Sequence, residues 1–102
     1  MTNDLNKLNS IKSWSIDDRP REKMLAKGRQ SLTDSELLAI ILGSGSVGES
    51  AVELSKRILN DHRNNLNELG KISIKDLVRK YKGIGEAKAI NIIAALELGR
   101  RR

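Results

Sequence analysis

The sequence predicts an all-α domain, a compact bundle of short helices. Three observations lead to this class. Apolar residues fill 38% of the 102 positions, with no Phe, one Trp and one Tyr, so the core has to come from Leu, Ile, Val and Ala. Capping boxes and glycines punctuate the chain at helical lengths, as in Thr33-Asp34-Ser35-Glu36 and Ser50-Ala51-Val52-Glu53. Apart from a short alternating stretch at Ile11–Ile16, no segment reads as a strand. A chain of this length holds one domain with one modest core.

The elements follow in order. Met1 to Ser10 lacks an apolar period and is rich in Asn, which predicts a mobile tail. Ile11 to Ile16 reads as a short extended segment with Trp14 as a core anchor. Residues 1–15 are thus tail and extended segment, and residues 16–102 the helical domain. Asp18 reads as an N-cap, Pro20 sits in a first turn and Gly28 is a stop, giving a helix from Arg19 to Lys27. The Thr33 box opens a second helix, ended by Gly43 after Leu42. The Ser50 box opens a third, running toward Asp61, with Leu54, Ile58 and an Ala51/Leu59 flank as its buried stripe. His62, at its end, suits a solvated position favourable to the helix dipole. Asn65 to Gly70 makes one turn, Ser73 caps a helix ending near Tyr81, and Glu86 to Arg100 forms the last helix.

Charge is unevenly placed. Residues 71–102 hold 9 Lys/Arg and 3 Asp/Glu, whereas residues 1–70 hold 10 of each sign, so the net +6 belongs to the C-terminal third. A pI near 9.9 favours polyanionic partners. No apolar run approaches a membrane span, so no membrane partner is expected. The N-terminus lacks the basic-then-apolar order of a signal peptide, and the absence of cysteine fits a cytoplasmic location. One histidine and no acidic cluster outside apparent caps leave no expected metal site, cofactor, catalytic residue or small-molecule substrate. The chain is therefore expected not to be an enzyme.

The basic third is centred on Gly83-Ile84-Gly85, between two helical patterns. Glycines there permit positive φ and leave the face of the turn bare. Ile84 is expected to point inward and pin the turn. The N–H groups that open the next helix, from Gly85 through Glu86 to Ala87, then face solvent, where they and the positive end of the helix dipole suit a phosphate. Lys88, one turn in, adds a charge-assisted contact, and small Ala87 and Ala89 let the flanking helices approach. Lys82 and Arg101 complete the candidate contacts. The bland alternative is an ordinary αα-turn with glycine caps. An internal repeat supports more: Leu37–Leu42, Gly43-Ser44-Gly45 and the Ser50 helix share the order helix, Gly-x-Gly, helix. Its loop is longer, with Ser44 in place of Ile84, so the first hairpin reads as degenerate and supportive.

The run from Leu77 to Ile92 resembles the helix-hairpin-helix motif of DNA-binding proteins, which would make the domain tandem helix-hairpin-helix-like. A wider resemblance is to the bacterial RadC family of DNA repair proteins. It rests on Asp18-Arg19-Pro20-Arg21-Glu22-Lys23-Met24-Leu25, on Leu32–Ile40, on Lys82–Ala89 and on Ala94–Arg101. At Gly43-Ser44-Gly45-Ser46 the chain departs from an Arg-Thr-Gly-like family sequence. The resemblance implies a non-sequence-specific module that binds the DNA phosphate backbone, with a role in DNA repair or recombination. It also implies a following JAB/MPN-type metalloprotease-like domain, absent from this chain, where zinc is expected. Two other classes are weighed. A domain that orients that second domain through protein contacts is one. A Schiff-base lyase is the other, but its lysine would need a depressed pKa, and the lysines here read as solvated.

Overall fold

The computed structural model describes residues 19–102. Six α-helices follow one another: α1 (Pro20–Lys27), α2 (Asp34–Leu42), α3 (Ala51–Asp61), α4 (Leu66–Leu69), α5 (Ile74–Lys80) and α6 (Glu86–Arg101). A 3₁₀ turn, Arg29–Ser31, links α1 to α2, and among the described residues there is no strand longer than one isolated bridge, Ser46 with Glu49. The all-α expectation holds. The expected tail, the Ile11–Ile16 segment and the Trp14 anchor lie outside the described residues.

Local chemistry places most helix ends. In α2 the Thr33 hydroxyl accepts from the Glu36 amide and the Glu36 carboxylate accepts from the Thr33 amide. Ser50 and Glu53 repeat that reciprocal box at α3. Asn65 caps α4 and Ser73 caps α5 through their side chains. At α1 the N-cap is Arg19 rather than the expected Asp18, with Pro20 opening the helix. Pro20 at N1 lacks an N–H and so leaves one orphan donor fewer. The α3 end is closed by His62, whose Nδ1 lies 2.7 Å from the Ile58 carbonyl oxygen, and by the Asn64 amide donating to Leu59 at 2.7 Å. Arg63 and Asn64 take positive φ to make that reversal.

The core runs through α2, α3, α5 and α6. Leu38 and Leu42 meet Leu54 and Ile58, the expected stripe of α3. Leu77, Tyr81, Ile84 and Ile92 close the other side. The most extensive helix–helix contact is α2 with α3; α6 packs on both α5 and α2, and so joins the two helical pairs. Outside this core, Lys23 donates to both Glu36 oxygens at 3.2 and 3.0 Å and ties α1 to the cap of α2. Burial opposes ionisation of Glu36, but the Thr33 amide and the Lys23 ammonium outweigh it and hold the carboxyl below its ordinary range.

Candidate functional site

A β-turn builds the second hairpin. The Ile84 amide donates to the Tyr81 carbonyl at 3.2 Å, and Gly83, third in the turn, has φ +92. A positive φ at that position is what a type II turn requires. Two side chains hold the turn from beneath: Ile84 is 3% exposed, as expected, and Tyr81 is 1% exposed. The Tyr81 hydroxyl donates to Asp61 Oδ2 at 2.8 Å, which binds the turn to the end of α3. Arg57 stands 5.4 Å and Lys80 5.7 Å from the Tyr81 ring centroid. Burial, then the Asp61 carboxylate, push the Tyr81 phenol pKa up, so it stays a donor.

Helix α6 then starts without a capping side chain at Gly85. Its first backbone bond runs from the Ala89 amide to the Gly85 carbonyl at 3.0 Å, so the amides of Glu86, Ala87 and Lys88 precede the intrahelical ladder. Gly85, Glu86 and Ala87 are all exposed. Gly85 has φ −89 and ψ −174, ordinary extended backbone, so the expected positive φ belongs to Gly83 alone. A Cβ on Gly85 would meet no atom within 4 Å. Close approach of the helices rests on the fully buried Ala89; Ala87 faces solvent, contrary to expectation.

The two hairpins touch. A Cβ on Gly83 would come 2.7 Å from Ser46 Cβ, so the second turn lies directly on the first loop. Lys88 Nζ donates to the Ser44 carbonyl at 3.1 Å and to Ser44 Oγ at 2.7 Å. Lys88 is therefore half-buried and held, not solvated as expected. An ammonium has three donors, and the two Ser44 oxygens take two of them. Within the first loop, Ser46 and Glu49 exchange both backbone bonds at 3.0 Å around Val47-Gly48. Arg57 grips Glu49 with two bonds of 3.0 Å and, with that hydrogen bond as the largest cause, holds its carboxyl below the ordinary range.

The structure thus gathers Lys82, Gly83, Ile84, Gly85, Glu86, Ala87 and Lys88 at one place. It does not bring Arg101 there. Thirteen residues along α6 separate Arg101 from Lys88, about 20 Å at helical rise. Arg101 and Arg100 both clasp Glu97, at 2.9 and 2.8 Å, and the hydrogen bonds from Arg100 and then Arg101 take the Glu97 carboxyl down to about 2. Lys71 and Arg79 also pair, with Glu68 and Asp76. Lys80 and Lys82, which flank the turn, form no ion pair among the described residues; neither do Lys75, in the first turn of α5, and Arg102, at the far end of α6. Ser44 was not among the expected site residues; its bond to Lys88 spans 44 positions and leaves no local signal. Among the described residues no group of three or more His, Cys, Asp or Glu could hold a metal ion. No helix there is long and apolar enough to cross a membrane.

Fold and site together define an all-helical domain whose longest helix opens, uncapped and solvent-facing, from a glycine turn. The chain belongs to the UPF0758 N-terminal family, which matches residues 11–90. It is 60% identical to a UPF0758 protein of Flavobacterium johnsoniae over 93 residues, covering 91% of this chain and 40% of that protein. It is 46% identical to a UPF0758 protein of Porphyromonas gingivalis over 92 residues, 90% of this chain and 40% of the relative. A UPF0758 protein of Staphylococcus aureus is 47% identical over 91 residues, 89% of this chain and 39% of the relative. The chain thus spans about 40% of the length of these curated relatives. No solved structure matches it.

Proposed function

We propose that this domain is a non-enzymatic, non-sequence-specific DNA-binding module, the N-terminal part of a RadC-like bacterial protein working in the cytoplasm on DNA repair or recombination. The observation that carries the reading is Gly85. Four other helices start on a residue whose side chain caps them, Thr33, Ser50, Asn65 and Ser73. At α6 the chain places a glycine whose backbone needs no glycine and whose missing side chain leaves open space. That arrangement exposes amide donors at the positive end of a 16-residue helix, beside Lys88. Amide-to-phosphate bonds fix position and carry no base code, hence no sequence preference. With the second hairpin as the contact and the first as its support, the domain functions as a tandem helix-hairpin-helix unit.

Titration against duplex DNA at several salt concentrations tests this. About two to four neutralised phosphates give a log K versus log salt slope of roughly −2 to −4, with micromolar or weaker binding at physiological salt. Absence of binding at low salt would remove the reading.

A second reading, a domain that packs on the remainder of the longer protein, has its own observation. Leu37, Leu66 and Leu98 are 36%, 43% and 72% exposed, and Leu37, Leu66 and Ala95 line one shallow groove between α2, α4 and α6. Salt-independent behaviour together with docking of the remaining polypeptide in trans would favour it.

A further inference from the structure

Val47 is the most exposed large apolar residue described, at 104% of its reference surface. It occupies the tip of the Ser46–Glu49 turn, where Gly48 takes φ +80. An apolar side chain there contributes nothing to the folded core, and polar residues or Pro serve such a turn better.

The tip is nonetheless held firmly. Ser46 and Glu49 are joined by two backbone bonds of 3.0 Å, and Ser46 Oγ donates to Glu49 Oε1 at 3.3 Å. Arg57 fixes the same carboxylate from α3. A Cβ on Gly45 would collide with the Glu49 carbonyl oxygen, so the strands of the loop are pressed together at its base. Ser46 packs against Gly83, and Ser44 against Lys88, so the tip is anchored to the hairpin that carries the exposed amides. Its acid, Glu49, is neutralised by Arg57, which removes the obstacle a free carboxylate would present to a polyanion.

We infer that Val47 is an apolar wedge which contacts base faces next to the bound phosphate and gives the domain a preference for DNA with an already opened base step, such as a gap or a bulge. The inference rests on the phosphate reading above and adds the class of DNA. Apolar side chains that enter a stack do so by separating bases, which costs free energy in intact duplex. A module with a few phosphate contacts has little affinity to set against that cost. Where the stack is already interrupted the cost is absent, and contact between the side chain and a base face is pure gain.

The experiment compares the parent, Val47→Ser and Val47→Leu on an intact duplex and on the same duplex with a one-nucleotide gap flanked by 2-aminopurine, at low salt. The parent is expected to bind the gapped duplex about threefold to tenfold tighter than the intact one, with a change in 2-aminopurine emission. Val47→Leu should keep that ratio, and Val47→Ser should bring it close to one and abolish the emission change. A turn-tip substitution of an exposed residue leaves the fold in place, which circular dichroism verifies. Duplex binding with an unaltered ratio in Val47→Ser, or with no preference in the parent, overturns the wedge and leaves the phosphate reading standing. Failure of the parent to bind either DNA overturns both.

Discussion

The two glycine loops of this domain place different demands on their glycines. In the loop from Gly43 to Ser50 the demand is internal: a Cβ on Gly45 would strike the Glu49 carbonyl, and Gly43 and Gly48 take φ of +78 and +80. Gly83, in the second loop, is also internal, with φ +92 and Ser46 against its face. Gly85 is different, because neither its dihedrals nor its neighbours require it. Four of the five other helices start on a capping side chain, α1 on Arg19 being the exception, so a bare glycine with no internal reason at the start of α6 fits a role toward solvent in the proposed reading. The same Gly-x-Gly spelling therefore covers one residue that the fold needs and one that, on the proposed reading, is left bare for a phosphate.

Exchanging the roles is the strongest way to break this comparison. Gly83→Ala should cost about 2 kcal/mol or more in urea unfolding, since it combines positive φ with contact against Ser46. An unchanged midpoint would mean that the two loops do not bear on each other. Tyr81→Phe probes the tie between the second turn and α3. Loss of its hydrogen bond to an exposed Asp61 should lower stability by about 1 kcal/mol. Glu49→Gln probes the first loop and should cost about half a kcal/mol at neutral pH, as partly exposed ion pairs do. The Glu49 carboxyl lies below its ordinary 4.5 in the folded protein. Its contribution is thus complete above about pH 4.5 and disappears as pH falls through the folded value, and the gap between parent and Glu49→Gln should close over that window. Persistence of the gap into strong acid would assign it to something other than the Arg57 pair.

Much of the fold was legible because helix ends are written locally. The reciprocal boxes Thr33/Glu36 and Ser50/Glu53, the Asn65 turn and the Gly43 stop follow from side chains within one turn of the backbone they satisfy. The inward Ile84 followed from the apolar pattern. What escaped depends on groups distant in sequence or on backbone alone. The Ser44–Lys88 bond, the Ser46–Gly83 packing and the Tyr81–Asp61 tie are tertiary. The Arg29–Ser31 turn and the Ser46–Glu49 bridge carry no apolar period. At Gly85 the letter is silent on φ, so the sequence attributed to both glycines a dihedral that only Gly83 has. Arg101 was drawn toward the site by charge counting, which could not see Glu97 clasping it.

Side-chain charge at the site is expected to be a smaller lever than the backbone. Lys88→Ala should make the salt slope less negative by about one unit and weaken binding evenly across sequences. Its loss also frees Ser44, so a matching change in Ser44→Ala would show that Lys88 acts through its anchored position.

Gly85, in the proposed function, is kept bare for a phosphate, and Gly85→Val measures this most directly. Valine suits φ −89 and ψ −174, and its Cβ enters open space, so stability should stay within about 1 kcal/mol of the parent. Net charge is unchanged. Duplex DNA titration at low salt should nonetheless show at least a tenfold loss, of the order expected when a site for charge-assisted bonds is blocked, with Arg101→Ala as a control close to the parent. A folded Gly85→Val that binds DNA as tightly as the parent, while Arg101→Ala does not, would contradict the account and move the site to the basic end of α6.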